Sequence, residues 1–486
     1  MTRPILLANG FIVDGTGAPG RTGDVLLHGD RIVAVGPMLR DAAPAGIPMK
    51  DVDVRDCTGL AIAPGFIDVH THDDAIVLNS PGMAPKLSQG ITTVVTGNCG
   101  LSVAPYVVSE PKGALTLLGN SFKYPSVAAY SRAVAKAGPA VNVALLIGHT
   151  TLRSATMDDL TRPATDDEVA RMCALMDQCM TDGAIGMSSG LFYAEAMPAP
   201  ASEVTALARV VARHRGVYAT HMRSEMAEIL EAMHEASDCA FEAGVPLIIS
   251  HHKCAGPANW GRTQQTLPLI DELARRQDIA MDVYPYVAGS TVLREDLVDG
   301  IIDVMVSWSA PYPEMTGRML ATIAAEWGVT QYEACLRLKP GGACYFQMDE
   351  DDVRRVISHP RSMIGSDGLP HDRHPHPRLW GAFPRVLARY WREQQLFSME
   401  QAVHKMTGLS ARNFRLRERG EIREGWFADV VVFDPLRVRD VATYEHPQAR
   451  SEGIDQVYVN GQLTFSATAA EGSLPRSGRV LLRQPV

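Results

Sequence analysis

Short apolar runs, four or five residues long and bounded by glycine or polar residues, recur through the middle of the chain. Each is followed by a helix-length segment whose apolar positions fall three or four apart. Such runs predict strands buried on both faces, as in a parallel sheet covered by helices. Eight of them fit: 66–70, 92–96, 143–147, 184–188, 217–220, 246–250, 280–284 and 363–366. Eight parallel strands, each with its helix, close an α/β barrel of the (β/α)8 TIM type. Helix ends are marked as well, by the capping-box spacing of Thr165 and Glu168 and by the stop glycines Gly216 and Gly244. The seventh connection breaks the rhythm. It runs over about 287–361, far beyond an ordinary βα loop, and predicts an insertion near the barrel mouth with its own helices over 314–327 and 350–358.

The two ends of the chain have a different pattern. Glycine-punctuated β-type runs at 5–7, 11–13, 24–27 and 32–35 are matched near the C-terminus by ADVVVF at 428–433 and QVYVNG at 456–461. They predict one small β-sandwich domain built from both termini, so that 1–63 and 415–486 flank a barrel over 64–414. Gly15, Gly17 and Gly20 spell GxGxxG, yet Pro19 lies inside the motif and the next segment reads as a strand, which excludes a dinucleotide site.

The 486 residues carry 46 Lys+Arg against 55 Asp+Glu, a formal charge of −9, which argues against nucleic acid or an anionic membrane as partner. Hydrophobic residues at 46% and charged residues at 21% suit a large core. No apolar run reaches the roughly 18 residues of a membrane span, and the run at 5–8 is too short for a secretion signal, so a soluble, cytoplasmic protein is expected. The eight cysteines are scattered without a CxxC pair, as reduced thiols rather than a disulfide framework. Oligomeric state is not legible.

Barrel enzymes carry their chemistry where strands end at the C-terminal face. The eight strands end at or just before His70 with His72, Cys99, His149, Ser188, His221, His251, Tyr284 and Asp367. Each is ordinary by itself. An HxH pair puts two rings on one side of a strand, a lone cysteine in TGNCG is more often packing, and of His251 and His252 only one can face the interior. Together they differ from punctuation: a cysteine with two histidines is a catalytic zinc set that leaves the fourth position to water. Asp367, in IGSDGLP, is either a turn residue or the carboxylate that takes a proton from the attacking water and returns it to the leaving nitrogen.

With GFIDVHTHDD at 65–74, TTVVTGNCG at 92–100, GHTTLR at 148–153, ATHMRSE at 219–225, SHHK at 250–253, DVYPY at 282–286, IGSDGLP at 364–370 and HPHPRLWG at 374–381, the chain resembles the amidohydrolase superfamily. Within it the resemblance is to the N-acyl-D-amino-acid deacylases, or D-aminoacylases, over nearly the whole length. That resemblance implies a tight zinc on Cys99, His221 and His251, a second, weaker metal position on His70 and His72 with Cys99, and Asp367 as general acid/base. It also implies that Tyr193, Lys253, Tyr284 and Ser290, with Arg378 as a further member, bind the substrate α-carboxylate. Strand four, AIGMSSG, lacks the lysine with which many relatives bridge two metals, which disfavours the hydantoinase and dihydroorotase branch. The expected activity is zinc-dependent hydrolysis of N-acyl-D-amino acids to a carboxylate and a free D-amino acid, D stereochemistry coming from the resemblance alone. The rivals are a cyclic amidase and a non-catalytic barrel scaffold, and a scaffold should lack ligands that are all present here. Arg294, in GSTVLRED, either faces the pocket and favours a second carboxylate, as in N-acyl-D-glutamate or N-acyl-D-aspartate, or pairs with Glu295 or Asp296.

Overall fold

Eight strands, β1 (Phe66–Asp68), β2 (Ile91–Thr96), β3 (Asn142–Gly148), β4 (Gly186–Gly190), β5 (Val217–His221), β6 (Leu247–Ile249), β7 (Ile279–Val283) and β8 (Ser362–Ile364), pair side by side in chain order, all parallel. They come from a computed structural model that describes residues 3–39 and 47–483. Every residue in them is buried, which is why they read as unbroken apolar runs rather than alternating ones. All eight expected strands are present, with ends shifted by at most two residues. Inward-facing Val69, Val95, Leu146, Ala219 and Met363 pack on one another and on Phe414 and Leu416, which close one end of the barrel. The circle is completed differently from the rest. Between β8 and β1 there is no ladder, only a parallel bridge from Thr71 to Gly368 and the Asp367 N–H donating to His70 O at 2.8 Å.

The capping box at Thr165 and Glu168 starts helix Asp166–Thr181, and Gly244 ends Ile229–Ala243 in a left-handed turn. The turn that ends Ala201–Arg213 is made by Arg215 (φ 55°), one residue before the expected Gly216. The long seventh connection holds a feature its sequence did not announce, an antiparallel sheet of Gly289–Val292, Val304–Ser309 and Gly341–Tyr345. Helices Leu320–Trp327 and Gln331–Leu338 share its apolar core. The helix expected over 350–358 is present as Glu350–Ser358 but does not belong to the insertion. It packs on Thr263–Leu273, β7 and β8, as the barrel's own seventh helix. An amphipathic period identifies a helix without saying which sheet it covers.

Both termini contribute to one sheet, in the order Gln462–Ser466, Ile454–Val459, Val430–Phe433, Ala61–Pro64, Ile5–Ile12, Arg21–His28, Arg31–Gly36. The strand Ile5–Ile12 bends at Asn9 (φ 61°), so 5–8 pair with Asp53–Asp56 while 11–12 pair with 61–62. Phe433 on this sheet meets barrel residue Phe66, which stacks on Phe383, so one face of the sheet is seated on the barrel. Among the described residues, no helix is long and apolar enough to cross a membrane.

Candidate metal centre and active site

Cys99, His251 and Asp367 all have left-handed backbone, with φ of 54°, 36° and 50°. Such conformations are costly for residues with a Cβ and persist where the surroundings enforce them. Around Cys99 the enforcement is visible. A Cβ on Gly97 would lie 2.0 Å from Leu146 O, and one on Gly100 2.8 Å from Gly190 N, so only glycine lets this turn lie against β3 and β4. Ser188 completes it by accepting from Gly100 N at 2.9 Å and donating to Gly97 O at 2.5 Å.

The turns bring two overlapping ligand sets together. Cys99, His221 and His251 offer donor atoms within 4.8 Å of one another, as do His70, His72, Cys99 and Asp367. Cys99 Sγ lies 3.2 Å from His70 Nε2 and 3.4 Å from His251 Nε2. Burial pushes the Cys99 thiol up, but the charge of His70 and His251 outweighs it and holds the group well below its ordinary value, as a thiolate. Both ring nitrogens of His221 are buried without a hydrogen-bond partner among the described residues, Glu225 Oε2 lying 3.6 Å from Nε2. A thiolate among imidazoles with unspent lone pairs is a donor set that zinc fits.

Two carboxylates aim these rings, and neither stood out in the sequence as functional. Glu225 Oε1 lies 2.9 Å from His251 Nδ1. Asp282 lies 3.2 Å from His70 Nδ1 and accepts from His251 N at 2.9 Å. Both leave Nε2 free for a metal, the carboxylate–histidine arrangement that fixes tautomer and orientation. Asp282 could have been found as a charged residue inside a fully buried strand, whereas Glu225, in a loop after β5, carried no such signal. His252 faces away, bonded to Thr266 Oγ1 at 2.8 Å, and burial pushes it down to about 4. His149 is engaged by Glu203 at 2.8 Å, outside the site.

Asp367 Oδ1 is 3.2 Å from His72 Nε2 and 3.5 Å from His70 Nε2, and Oδ2 is 3.0 Å from Arg378 Nη2. Burial pushes this carboxyl up, but Arg378, His70 and His72 together hold it well below the usual carboxylate range. The group is therefore ionised. A cavity lies over Cys99, His72 and Asp367, walled by Tyr193, Lys253, Tyr284 and Ser290, with Leu117, Phe192, Leu297, Leu369 and Gln347 completing it. Tyr284 Oη and Ser290 Oγ are buried there without partners among the described residues. Lys253 Nζ donates to Glu225 Oε1 at 2.6 Å and lies 5.7 Å from the Tyr284 ring centre. Tyr193 Oη meets Thr291 Oγ1 at 3.2 Å.

Two of the expected substrate contacts lie off the cavity wall. Arg378 is fully buried behind Asp367, 4.4 Å over the Tyr284 ring; its Nη2 meets Asp367 Oδ2 at 3.0 Å and Ser290 O at 3.2 Å, while Nε and Nη1 are buried without a hydrogen-bond partner among the described residues. Arg294 does not reach the cavity either. Its guanidinium is held as a fork by Asp296, at 3.0 and 2.6 Å, donates to Phe192 O at 2.9 Å and lies 3.9 Å over the Phe192 ring, on a neighbouring cleft. The carboxylate two residues away is the partner that holds this guanidinium.

The model of the Amidohydrolase family matches residues 53–297 and 331–465. The chain is 48% identical to a D-aminoacylase of Alcaligenes xylosoxydans xylosoxydans, over 99% of this chain and 97% of that protein. It is 47% identical to an N-acyl-D-aspartate deacylase of the same organism, over 98% and 94%. The fold is similar, at a TM-score of 0.93 and 43% identity over 98% of this chain and 99% of the other, to a crystal structure of N-acyl-D-glutamate deacylase from Bordetella bronchiseptica. That structure is complexed with zinc and a phosphonate inhibitor that mimics the tetrahedral intermediate of the reaction.

Proposed function

The chain belongs to the amidohydrolase family, and on that premise we propose that it is a zinc-dependent deacylase that hydrolyses N-acyl-D-amino acids to a carboxylate and a free D-amino acid. The observation that carries the reading is one cavity floored by the Cys99 thiolate, with His72 and Asp367, and walled by Lys253, Tyr284 and Ser290. Cys99, His221 and His251 would hold the tight zinc, and His70 and His72 with Cys99 a weaker second ion. Zinc bound there supplies Lewis-acid activation of the acyl carbonyl and of water. Asp367 takes the proton from the attacking water at Oδ1, while Arg378 holds Oδ2. As the C–N bond breaks, the same carboxyl returns that proton to the departing nitrogen. Lys253 meets the substrate α-carboxylate with its charge, and the unspent hydroxyls of Tyr284 and Ser290 donate to it.

Leu117, Leu297 and Leu369 in the cavity wall, with Arg294 engaged elsewhere, favour a neutral, apolar substrate side chain over an acidic one. All eight cysteines are free, which favours a cytoplasmic location. Purified protein should contain zinc, hydrolyse N-acetyl-D-methionine faster than N-acetyl-D-glutamate, leave N-acetyl-L-methionine nearly untouched, and lose activity on chelation. Equal rates on both enantiomers, or activity that survives zinc removal, would overturn the reading.

A further inference from the structure

Where β8 meets β1 the barrel lacks a ladder, and a buried ionic cluster occupies the seam. Lys86, from the short helix Ala84–Leu87, is 1% exposed. Its Nζ donates to Asp68 Oδ2 at 2.7 Å and Ser366 Oγ at 3.0 Å, and lies 3.2 Å from Asp73 Oδ2. Asp68 Oδ1 in turn accepts from Ser366 N at 2.8 Å, tying the end of β1 to the end of β8. Each of the three partners adjoins a residue of the site: Asp68 is two before His70, Asp73 follows His72, and Ser366 precedes Asp367.

We propose that Lys86 is a positioning residue for the reaction, the clamp that helps set His70, His72 and Asp367 against one another where backbone pairing is reduced to one bridge and one hydrogen bond. The proposal rests on the function proposed above. The physical reason is specific to this joint. Elsewhere in the barrel the ladder fixes the spacing of neighbouring strand ends, whereas here one bridge and the bonds from Asp367 N to His70 O and Ser366 N to Asp68 Oδ1 are reinforced by a single ammonium bridging two carboxylates and a hydroxyl. Cys99, His221 and His251 arise from β2, β5 and β6, which are paired on both sides, and do not depend on it. Lys86 touches neither substrate nor metal, so it acts only through geometry, to which proton transfer is steeply sensitive.

The test uses the full-length zinc enzyme and two variants. Lys86→Met removes the clamp but leaves two buried aspartates without their cation, which can prevent folding. Ser366→Ala removes one arm and keeps every charge paired. For each, kcat and KM on N-acetyl-D-methionine, the melting temperature, and the affinity for a first and a second zinc equivalent are measured. The clamp predicts kcat lower by about 10-fold in Ser366→Ala and about 100-fold in folded Lys86→Met, with KM within about 2-fold. Binding of the second zinc should weaken by about 10-fold while the first is unchanged. If Lys86→Met does not fold, Ser366→Ala decides alone. Wild-type kcat in folded Ser366→Ala, or equal weakening of both zinc equivalents, would overturn the proposal. Wild-type enzyme without zinc-dependent deacylation would instead overturn the function it rests on, while the split between zinc affinities would still report on the clamp.

Discussion

The two halves of the site are built by different means. Cys99, His221 and His251 stand on strands whose neighbours on both sides are hydrogen-bonded ladders, and local devices refine their aim: glycines around Cys99, Glu225 behind His251. His70, His72 and Asp367 stand across a joint without a ladder, held by one backbone bridge and largely by side chains, with Asp282 behind His70 and Arg378 behind Asp367. Cys99 belongs to both ligand sets. The rigid half suits tight holding of an ion, and the half assembled from side chains suits a group that must accept and return a proton. The difference teaches that binding and chemistry in this barrel can be damaged separately.

The shared ligand should show the largest effect. Cys99→Ala removes the thiolate common to both sets, so zinc content should fall below about 0.1 per chain and kcat by more than about 10³-fold, since two histidines alone hold zinc poorly. Elemental analysis beside a D-substrate assay checks this. Asp367→Asn, on the proton-transfer side, should keep its zinc and lose about 10²-fold or more in kcat, because the amide is near-isosteric but cannot accept the proton. If zinc and kcat fall together in this variant, the two halves are not separable. Glu225→Gln, on the holding side, should weaken zinc about 10- to 100-fold in competition with a chelator, with most of the kcat recovered at saturating zinc. Arg294→Met, outside both halves, should change kcat/KM by less than about 3-fold on neutral and acidic D-substrates alike. A large selective loss on N-acetyl-D-glutamate would return this arginine to the cavity.

The ladder half was also the more legible half. Strands buried on both faces have a compositional signature, and all eight were recoverable from apolar runs and their glycine boundaries. Histidines and a cysteine at strand ends marked the candidate ligands, because few residue types can serve a metal. What supports them was hidden for physical reasons. Asp68, Lys86 and Asp73 are ordinary charged residues in sequence, and only the fold brings 86 and 366 to the same point. Glu225 was written inside a motif but acts through His251, 26 positions on. The insertion's strands, among them GSTV and GGACY, are short and glycine-rich, so they carried no strand period. Arg294 had two partners of equal chemical merit, and local geometry chose Asp296.

The most direct test of the whole account is a zinc titration of metal-depleted wild-type enzyme, following hydrolysis of N-acetyl-D-methionine. If the ladder half holds the ion and the seam half moves the proton, activity rises from near zero and saturates at one zinc per chain. Activity without zinc, or none until a second equivalent is bound, would contradict it.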